Sequence, residues 1–203
     1  MDHLILGFSG KAGCGKDTLF SLLKSHFSPR IDVRRFSVGD IIRQHLNMLP
    51  YVTARGINFF DLKRDQKELW RPLMVAYGNS CRNASKGRFF IDILEPHIKS
   101  RARNIPTISC ITDIRFDEFE KDEVHWLQNE LHGNLVYIDR YTTDLEGNQS
   151  SIPFINDTER EQDPKLRKKA DISIVWPTVN DKSILLNYAR PLITEIEQSW
   201  LPV

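Results

Sequence analysis

Short apolar runs alternate with longer amphipathic stretches along this chain. Runs of strand length lie at residues 3–8, 32–38, 106–111, 135–138 and 171–176. In most of the stretches between them, apolar residues recur every three or four positions, which predicts helices. Strands separated by helices form a parallel sheet whose two faces are both covered. The pattern therefore predicts an α/β fold with helices on both faces of a parallel sheet.

Helical spacing is found in six segments: 16–27, 40–46, 61–77, 89–98, 116–131 and 180–199. Pro72 lies inside the third of these helices and is expected to kink or divide it. Gly78 is expected to end the same helix. Residues 142–168 are polar and charged, and we interpret them as a mobile excursion that contains a short helix.

The composition indicates one domain, predicted to span residues 1–203, with a lid-like excursion at about 141–168. The chain has 203 residues, of which 40% are hydrophobic, and a net charge of +1. The balanced charge argues against a nucleic-acid partner, and no apolar run is long enough to cross a membrane. The first strand begins close to the N-terminus without a signal peptide. The three cysteines lack metal-ligand spacing, so we expect reduced thiols and a cytoplasmic protein.

The stretch from Gly10 to Thr18 has the pattern of a phosphate-binding loop, or P-loop. It reads Gly-Lys-Ala-Gly-Cys-Gly-Lys-Asp-Thr and lies between the first predicted strand and the first predicted helix. Glycines let the backbone turn so that successive N–H groups surround a phosphate. The following helix adds its positive N-terminal end. Lys16 is placed to reach the β- and γ-phosphates of a nucleotide.

The residue after Lys16 departs from the general motif. A Ser or Thr that holds Mg²⁺ usually stands there, but this chain has Asp17. A carboxylate is also a hard oxygen ligand, so Asp17 is a candidate Mg²⁺ ligand, directly or through water. The alternative is a glycine-rich turn that matches the motif by chance.

Charged residues follow several predicted strands at their carboxyl ends, where ligands gather in such sheets. Asp113 is placed to approach the metal or its waters, or else to cap the following helix. Arg115 projects from the same strand end, and a guanidinium there can grip a phosphate with two parallel hydrogen bonds. An isolated arginine is usually a solvated surface residue, so only convergence on one site supports further candidates. These candidates are Asp40, Arg43, Arg71, Arg82, Arg140 and Trp176.

Three motifs of the chain are similar to those of one known family. The first is Phe8 to Thr18, with Asp in the Ser/Thr place; the second is Arg71 to Gly78, with Leu-Met after the arginine; the third is the strand end Thr112-Asp-Ile-Arg115. Together they resemble the tailed-phage deoxynucleoside monophosphate kinases, which have Gly-Lys-Asp-Thr and an Asp-Thr-Arg strand end. Animal phosphomevalonate kinase has a similar outline, including an arginine that matches Arg82. The resemblance weakens after Ile138.

This resemblance implies an adenylate-kinase-like P-loop fold with a five-stranded parallel sheet and a small lid. It also implies that ATP and Mg²⁺ are the cofactors. Lys16, Asp113 and Arg115 would be catalytic, and Asp17 and Asp113 would organise Mg²⁺. Residues implied to bind the acceptor are Asp40, Arg43, Arg71, Arg82 and Arg115. Residues implied to bind ATP are Gly10, Lys11, Ala12, Gly13, Cys14, Gly15, Lys16, Asp17, Thr18, Arg140 and Trp176.

The leading functional hypothesis is ATP-dependent phosphorylation of a (deoxy)nucleoside monophosphate to the diphosphate. One alternative is a kinase for another small metabolite, similar to phosphomevalonate kinase. An alternative of another class is a P-loop module that binds nucleotide without catalysis. The Asn-Lys-x-Asp signature of a switch GTPase is missing from the sequence. The expected partners are small nucleotides, with no nucleic acid or membrane; a homodimer stays open, and a viral protein would work in the host cytoplasm.

Overall fold

The computed structural model describes residues 3–100 and 105–200. Its strands are β1 (His3–Ser9), β2 (Asp32–Phe36), β3 (Thr107–Ile111), β4 (Asn134–Thr143), β5 (Gln149–Ser151) and β6 (Ile172–Pro177). Its α-helices are α1 (Lys16–Phe27), α2 (Val38–Asn47), α3 (Pro50–Ala54), α4 (Arg64–Ser85), α5 (Arg88–Lys99), α6 (Glu123–His125), α7 (Asp157–Lys169) and α8 (Leu185–Glu195). A 3₁₀ turn precedes α8 at Lys182–Ile184, and π-helical turns extend α6 and α8 over Trp126–Glu130 and Ile196–Trp200.

The sheet contains five parallel strands within the described residues, in the order β2-β3-β1-β4-β6. Gly7 in the central strand β1 pairs with Ile111 on one side and Leu135 on the other. The short β5 pairs antiparallel with the extended end of β4. The predicted α/β class with a five-stranded parallel sheet is therefore confirmed. The carboxyl ends of the parallel strands meet at one edge, which is where the glycine loop leaves β1.

Both faces of the sheet are covered, because alternate residues of each strand point to opposite sides. Leu6 and Phe8 of β1 belong to a core that α1 and α8 complete, with Leu23 and Leu192 among its members. Ile5 belongs to a second core, formed with α5, α6 and the π-helical turn after α6. The loop after β1 therefore rests on a sheet that is fixed from above and below.

Helix α4 is longer than the sequence predicted. It runs to Ser85 and passes through both Pro72 and Gly78, so the predicted stop at Gly78 is wrong. Glycine costs a helix only about 1 kcal/mol, and close packing against α2 favours a small residue here. A Cβ on Gly78 would lie 3.1 Å from the Ile42 side chain.

The segment after β3 also differs from its prediction. Residues 116–122 are not helical, and the helical turns occupy only 123–130 of the predicted 116–131. The buried carboxylate of Asp122 accepts backbone N–H bonds from Glu118, Phe119 and Glu123. A side chain that satisfies these amides stabilises a loop where the periodicity predicted helix.

The polar stretch 142–168 begins with a hairpin and ends with a helix of 13 residues, α7. The helix is therefore longer than the short one predicted there. The single-domain and lid assignments stay predictions. No helix within residues 3–100 and 105–200 has the length and apolar character that a membrane span requires.

Candidate functional site

The glycine loop adopts a conformation that requires its glycines. Gly10, Gly13 and Gly15 have φ values of 125°, 80° and 109°, which side chains rarely tolerate. A Cβ on Gly10 would lie 2.2 Å from the carbonyl oxygen of Ile138. Helix α1 begins directly after Gly15, so its first N–H groups join the edge of the loop. A glycine-rich turn that leads into a helix N-terminus is the kind of backbone from which anion sites are built.

Lys16 curls back into this loop. Its Nζ donates to the carbonyl oxygens of Gly10 at 2.6 Å and Lys11 at 3.0 Å. The residue is only 8% exposed, and this burial lowers the pKa of its ammonium group below the ordinary value. A largely desolvated cation at the centre of the loop would interact strongly with a phosphate.

Trp176 supports the loop from below and does not face a nucleotide base. Its indole is fully buried and donates from Nε1 to the Cys14 carbonyl oxygen at 2.7 Å. A Cβ on Gly15 would lie 2.5 Å from the ring. The predicted contact with ATP is therefore corrected: Trp176 lies within β6, and its side chain points inward because it packs in the core.

Arg140 lies against the other side of the loop. Its Nη1 donates to the Gly13 carbonyl oxygen at 3.0 Å, and its Nε donates to Thr178 Oγ1 at 2.9 Å. The structure thus brings this arginine to the loop, and its role toward ATP stays a prediction.

Lys11 is turned away from the inside of the loop. Its Nζ donates to Ser151 Oγ at 2.7 Å and to the Ile152 carbonyl oxygen at 2.9 Å. The ammonium group also lies 4.3 Å from the centre of the Phe154 ring, which is within cation–π range. This buried lysine connects the loop to the segment between β5 and α7. Any contact of Lys11 with ATP would therefore come from its backbone.

Asp113 caps helix α2 and also lies close enough to Lys16 to influence the ionisation of that lysine, and its role toward Mg²⁺ stays a prediction. Its Oδ2 accepts bonds from Ser37 Oγ and Gly39 N, both at 2.8 Å, and its Oδ1 accepts one from Val38 N at 2.9 Å. A carboxylate that receives three donors and is 8% exposed is committed to the helix N-terminus. The sequence indicated a cap as the alternative, but for the helix after β3 rather than for α2.

Asp17 starts a chain of alternating charges that leads from the loop to α2. Arg35 donates from Nε to Asp17 Oδ1 at 2.9 Å, and it also pairs with Asp40. Asp40 in turn pairs with Arg43 one turn along α2. Arg35 was missed by the sequence analysis, although its place near the end of β2 could have singled it out.

Asp17 remains the candidate Mg²⁺ ligand that the sequence predicted. Its side chain is 75% exposed, and Asp17 is the residue directly after Lys16 in the sequence. No group of three or more His, Cys, Asp or Glu side chains converges as a metal site in the described part of the chain. Mg²⁺ commonly takes one or two carboxylates and completes its shell with phosphate oxygens and water. Asp17 would hold the ion in that way, together with a bound nucleotide.

Helix α4 contributes Arg71 and a lysine that the sequence analysis missed. Arg71 donates from Nε and Nη2 to Glu68 at 2.7 and 2.6 Å. Lys67 lies one turn earlier on the same face. Partial burial lowers the pKa of Lys67, and the nearby guanidinium groups of Arg43 and Arg71 lower it further. Arg43 of α2 and Arg71 of α4 therefore both lie near Lys67, and their predicted convergence on an acceptor stays a prediction.

Arg82 is buried and paired with acidic side chains of the protein itself, which differs from its predicted place at the acceptor. The residue is only 3% exposed, and it grips both Asp122 oxygens from Nη1 and Nη2 at 3.0 and 3.1 Å. Its Nη2 also donates to Glu118 at 3.0 Å. The guanidinium carbon lies 3.5 Å from the centre of the Phe116 ring. Three hydrogen bonds and one face of the group are thus supplied by the protein itself.

Arg115 is exposed at the end of β3, close enough to Lys16 and Cys14 to influence their ionisation. Its backbone is held by the buried carboxylate of Glu123, which accepts from Arg115 N at 2.6 Å and Phe116 N at 3.1 Å. Burial, together with the charge of Asp122, raises the pKa of Glu123 to about 8. The exposed side chain of Arg115 is therefore carried on a fixed backbone.

We expect replacement of Glu123 by glutamine to change how stability depends on pH. Between about pH 4.5 and 8 the unfolded chain releases the Glu123 proton while the folded chain keeps it, so this group lowers stability as pH rises. Glutamine does not ionise. The free energy of unfolding of Glu123→Gln relative to wild type should therefore rise from pH 5 to pH 8, by about 1–3 kcal/mol.

Urea unfolding at several pH values measures this difference. Glu120→Gln is a suitable control because Glu120 is exposed. Parallel stability profiles for Glu123→Gln and wild type would contradict the prediction.

Comparisons with known proteins assign no family to the chain. No protein-family profile matches it, and no curated protein matches it. Among solved structures it is similar to a dephospho-CoA kinase from Campylobacter jejuni, with 16% sequence identity and a TM-score of 0.45 over 96% of each chain. Similarity at this level carries no conclusion about activity.

Proposed function

We propose that the protein is an ATP-dependent kinase that transfers the γ-phosphate to a small phosphorylated acceptor. The observation that carries the proposal is the glycine loop with Lys16 inside it, followed by Asp17, with basic residues from separate elements within electrostatic range of these two side chains or of one another. These residues are Arg43 on α2, Lys67 and Arg71 on α4, and Arg115 after β3. We call these four basic residues the cationic wall. Phosphoryl transfer needs a loop that binds one set of phosphates and a second group of cations that binds the other anion.

Each part has a distinct role in this proposal. The loop amides and Lys16 bind the β- and γ-phosphates, and Asp17 holds Mg²⁺, which would neutralise charge on the phosphate oxygens. The cationic wall orients the acceptor phosphate in line with the γ-phosphate. The acceptor is already an anionic nucleophile, so a general base is not required. Positioning and charge neutralisation supply most of the rate.

The acceptor we favour is a (deoxy)nucleoside monophosphate, as the motifs around Lys16, Arg71 and Arg115 imply. A phosphomevalonate-like metabolite presents the same phosphate and is the second candidate. The inward place of Arg82 leaves Arg43, Lys67, Arg71 and Arg115 as the groups for either acceptor. A module that only binds nucleotide would not need this second set of cations.

A coupled assay of ADP release tests the proposal. The panel contains all common dNMPs and NMPs, phosphomevalonate and dephospho-coenzyme A, with ATP and Mg²⁺ in excess. We expect many turnovers with one class of acceptor and only slow hydrolysis without acceptor. A single stoichiometric burst, or none with any acceptor, would contradict the kinase and favour a binding module.

Replacement of Arg71 or Lys67 by alanine should weaken acceptor use more than ATP use. Each change removes one charge-assisted hydrogen bond to the acceptor phosphate, so we expect the acceptor KM to rise about tenfold. The KM for ATP should change less than threefold by the same reasoning. Initial rates measured against both substrates give the comparison. Lys121→Ala serves as the control because Lys121 is exposed and distant in sequence; equal losses for both substrates would refute the assignment.

A further inference from the structure

One carboxylate already lies on the phosphate-binding loop. Glu159, in the first turn of α7, accepts the backbone N–H of Ala12 on its Oε1 at 2.5 Å. Its Oε2 accepts the N–H of Ile155 at 3.0 Å. Asn156 caps the same helix by accepting from Glu159 N at 2.8 Å. Asn156 thus caps the helix, and the Glu159 carboxylate joins two segments, with one oxygen on Ile155 before the helix and the other on the loop.

Glu159 lies among groups that would also bind a phosphate. Ala12 N is one of the amides that the loop would offer to an anion. Burial lowers the pKa of Lys16, and the Glu159 carboxylate is one of the charges that oppose this fall. The bonds of Arg71 to Glu68 raise the pKa of Arg71, and Glu159 adds to that rise. The same carboxylate thus lies near an amide of the loop, the lysine inside it and one arginine of the cationic wall.

The segment that carries Glu159 is also fastened to the loop by Lys11. This lysine immediately precedes Ala12, and its ammonium group binds Ser151 and Ile152 and lies over Phe154. The residue is 8% exposed, so these contacts are shielded from water and salt. Two consecutive loop residues therefore hold the same segment, one through a cation and the other through an amide.

We infer that Glu159 is a further residue of the phosphate site, an internal anion that occupies the Ala12 amide and must be displaced by the incoming polyphosphate. This inference rests on the proposed function of the loop. A carboxylate and a phosphate oxygen accept the same N–H bond, and two anions at one amide repel each other. When nucleotide binds, a phosphate oxygen therefore replaces the Glu159 carboxylate as the acceptor of the Ala12 N–H. The N-terminal end of α7 then moves off the loop.

The need to displace Glu159 from the Ala12 amide lowers the apparent affinity for nucleotide. If the carboxylate holds the amide in about ten of every eleven molecules, the apparent Kd is raised about tenfold over the intrinsic one. Glu159 would thus keep the loop closed to weakly bound anions. A polyphosphate overcomes the contact because it gains Lys16 and several amides at once.

Binding of inorganic tripolyphosphate and of ATP to wild type, Glu159→Gln and Glu159→Ala tests the inference by calorimetry. We expect Glu159→Ala to bind either ligand about tenfold more tightly than wild type. Glu159→Gln should show a smaller gain, because its amide oxygen can still accept the Ala12 N–H but carries no charge. Unchanged or weaker binding would overturn the inference, because a side chain that only supports the fold would not hinder the ligand.

A matched control separates direct contact from general electrostatics. Asp157 lies in the same turn of α7 and is 86% exposed beside Arg160, so Asp157→Asn removes an equal charge without a loop contact. We expect less than a twofold change for it. The gain from Glu159→Gln should persist in 0.5 M salt, where exposed charges are screened. A gain that is equal in both variants, or that vanishes in salt, would overturn the inference.

A ligand-free measurement distinguishes failure of the inference from failure of the proposed function. The Ala12 amide should exchange its hydrogen more slowly in wild type than in Glu159→Ala, as followed by NMR. Protection of Ala12 in wild type without polyphosphate binding to any variant would refute the phosphate site and the inference together. Polyphosphate binding with no Glu159-dependent protection would refute the inference alone.

Discussion

Replacement of Lys16 by alanine should abolish phosphoryl transfer while the fold remains intact. The ammonium group is buried inside the loop and is the cation that would lie closest to the transferred phosphate. Removing one such preorganised group from a dry site costs about 10²–10³-fold in rate, and we expect a loss of at least this size. Initial rates of ADP formation at saturating ATP and acceptor measure it.

Stability is expected to change little in the same variant. The replacement removes the free-energy cost of burying the Lys16 ammonium group. It also removes one hydrogen-bond donor from the carbonyl oxygens of Gly10 and Lys11. These effects oppose each other, so the free energy of unfolding should shift by less than about 1 kcal/mol. Lys24→Ala is the matched control, because Lys24 lies on the same helix and is exposed. An unaltered rate in Lys16→Ala would remove the loop from the mechanism.

The fold could be predicted because its signals are local. The apolar runs marked the five parallel strands, and the glycines of the loop are required by its own backbone. Helix α1 begins and ends at the predicted residues. Helix α4 passes through Gly78 because of contacts with α2, and a pattern within one helix carries no information about its neighbour.

The site could be predicted only in part, because residue type and strand position do not say which partners a side chain finds. Asp113 stands at a strand end as expected, but Ser37, 76 residues away, directs it to the α2 N-terminus. Trp176 belongs to the last strand as expected, but its ring fills the space beneath Gly15. Lys67 was missed because its proximity to Arg43 depends on how α2 and α4 pack, whereas the place of Arg35 near the end of β2 was a signal in the sequence that was not used.

The second large effect is expected at Arg82, where the motif implied a role in binding and the structure shows an internal ion pair. Arg82→Ala should destabilise the protein by about 3–5 kcal/mol. The Asp122 side chain is fully buried and would keep its charge without the guanidinium that compensates it. Loss of packing on Phe116 adds to the cost. Urea unfolding measures the difference in the free energy of unfolding.

Two further variants show whether the ion pair is the cause. Arg82→Lys keeps a positive charge but loses the two-pronged contact with Asp122 and the flat packing on Phe116, so it should recover only part of the stability. Arg160→Ala removes an arginine from a pair that is 66% and 86% exposed. Such exposed pairs contribute about 0–1 kcal/mol, and this variant should unfold almost like wild type.

Kinetics on the folded variant decide between the structural role and the acceptor role. At a temperature where Arg82→Ala is still folded, its acceptor KM should stay within about threefold of wild type, since the guanidinium faces Asp122 and Glu118 rather than the loop. Arg71→Ala, measured in parallel, should show the reverse pattern of a raised acceptor KM and near-native stability. If Arg82→Ala instead raised the acceptor KM and left stability unchanged, Arg82 would belong to the acceptor site that the motif implied. The ion pair with Asp122 would then be one that the side chain leaves when the acceptor binds.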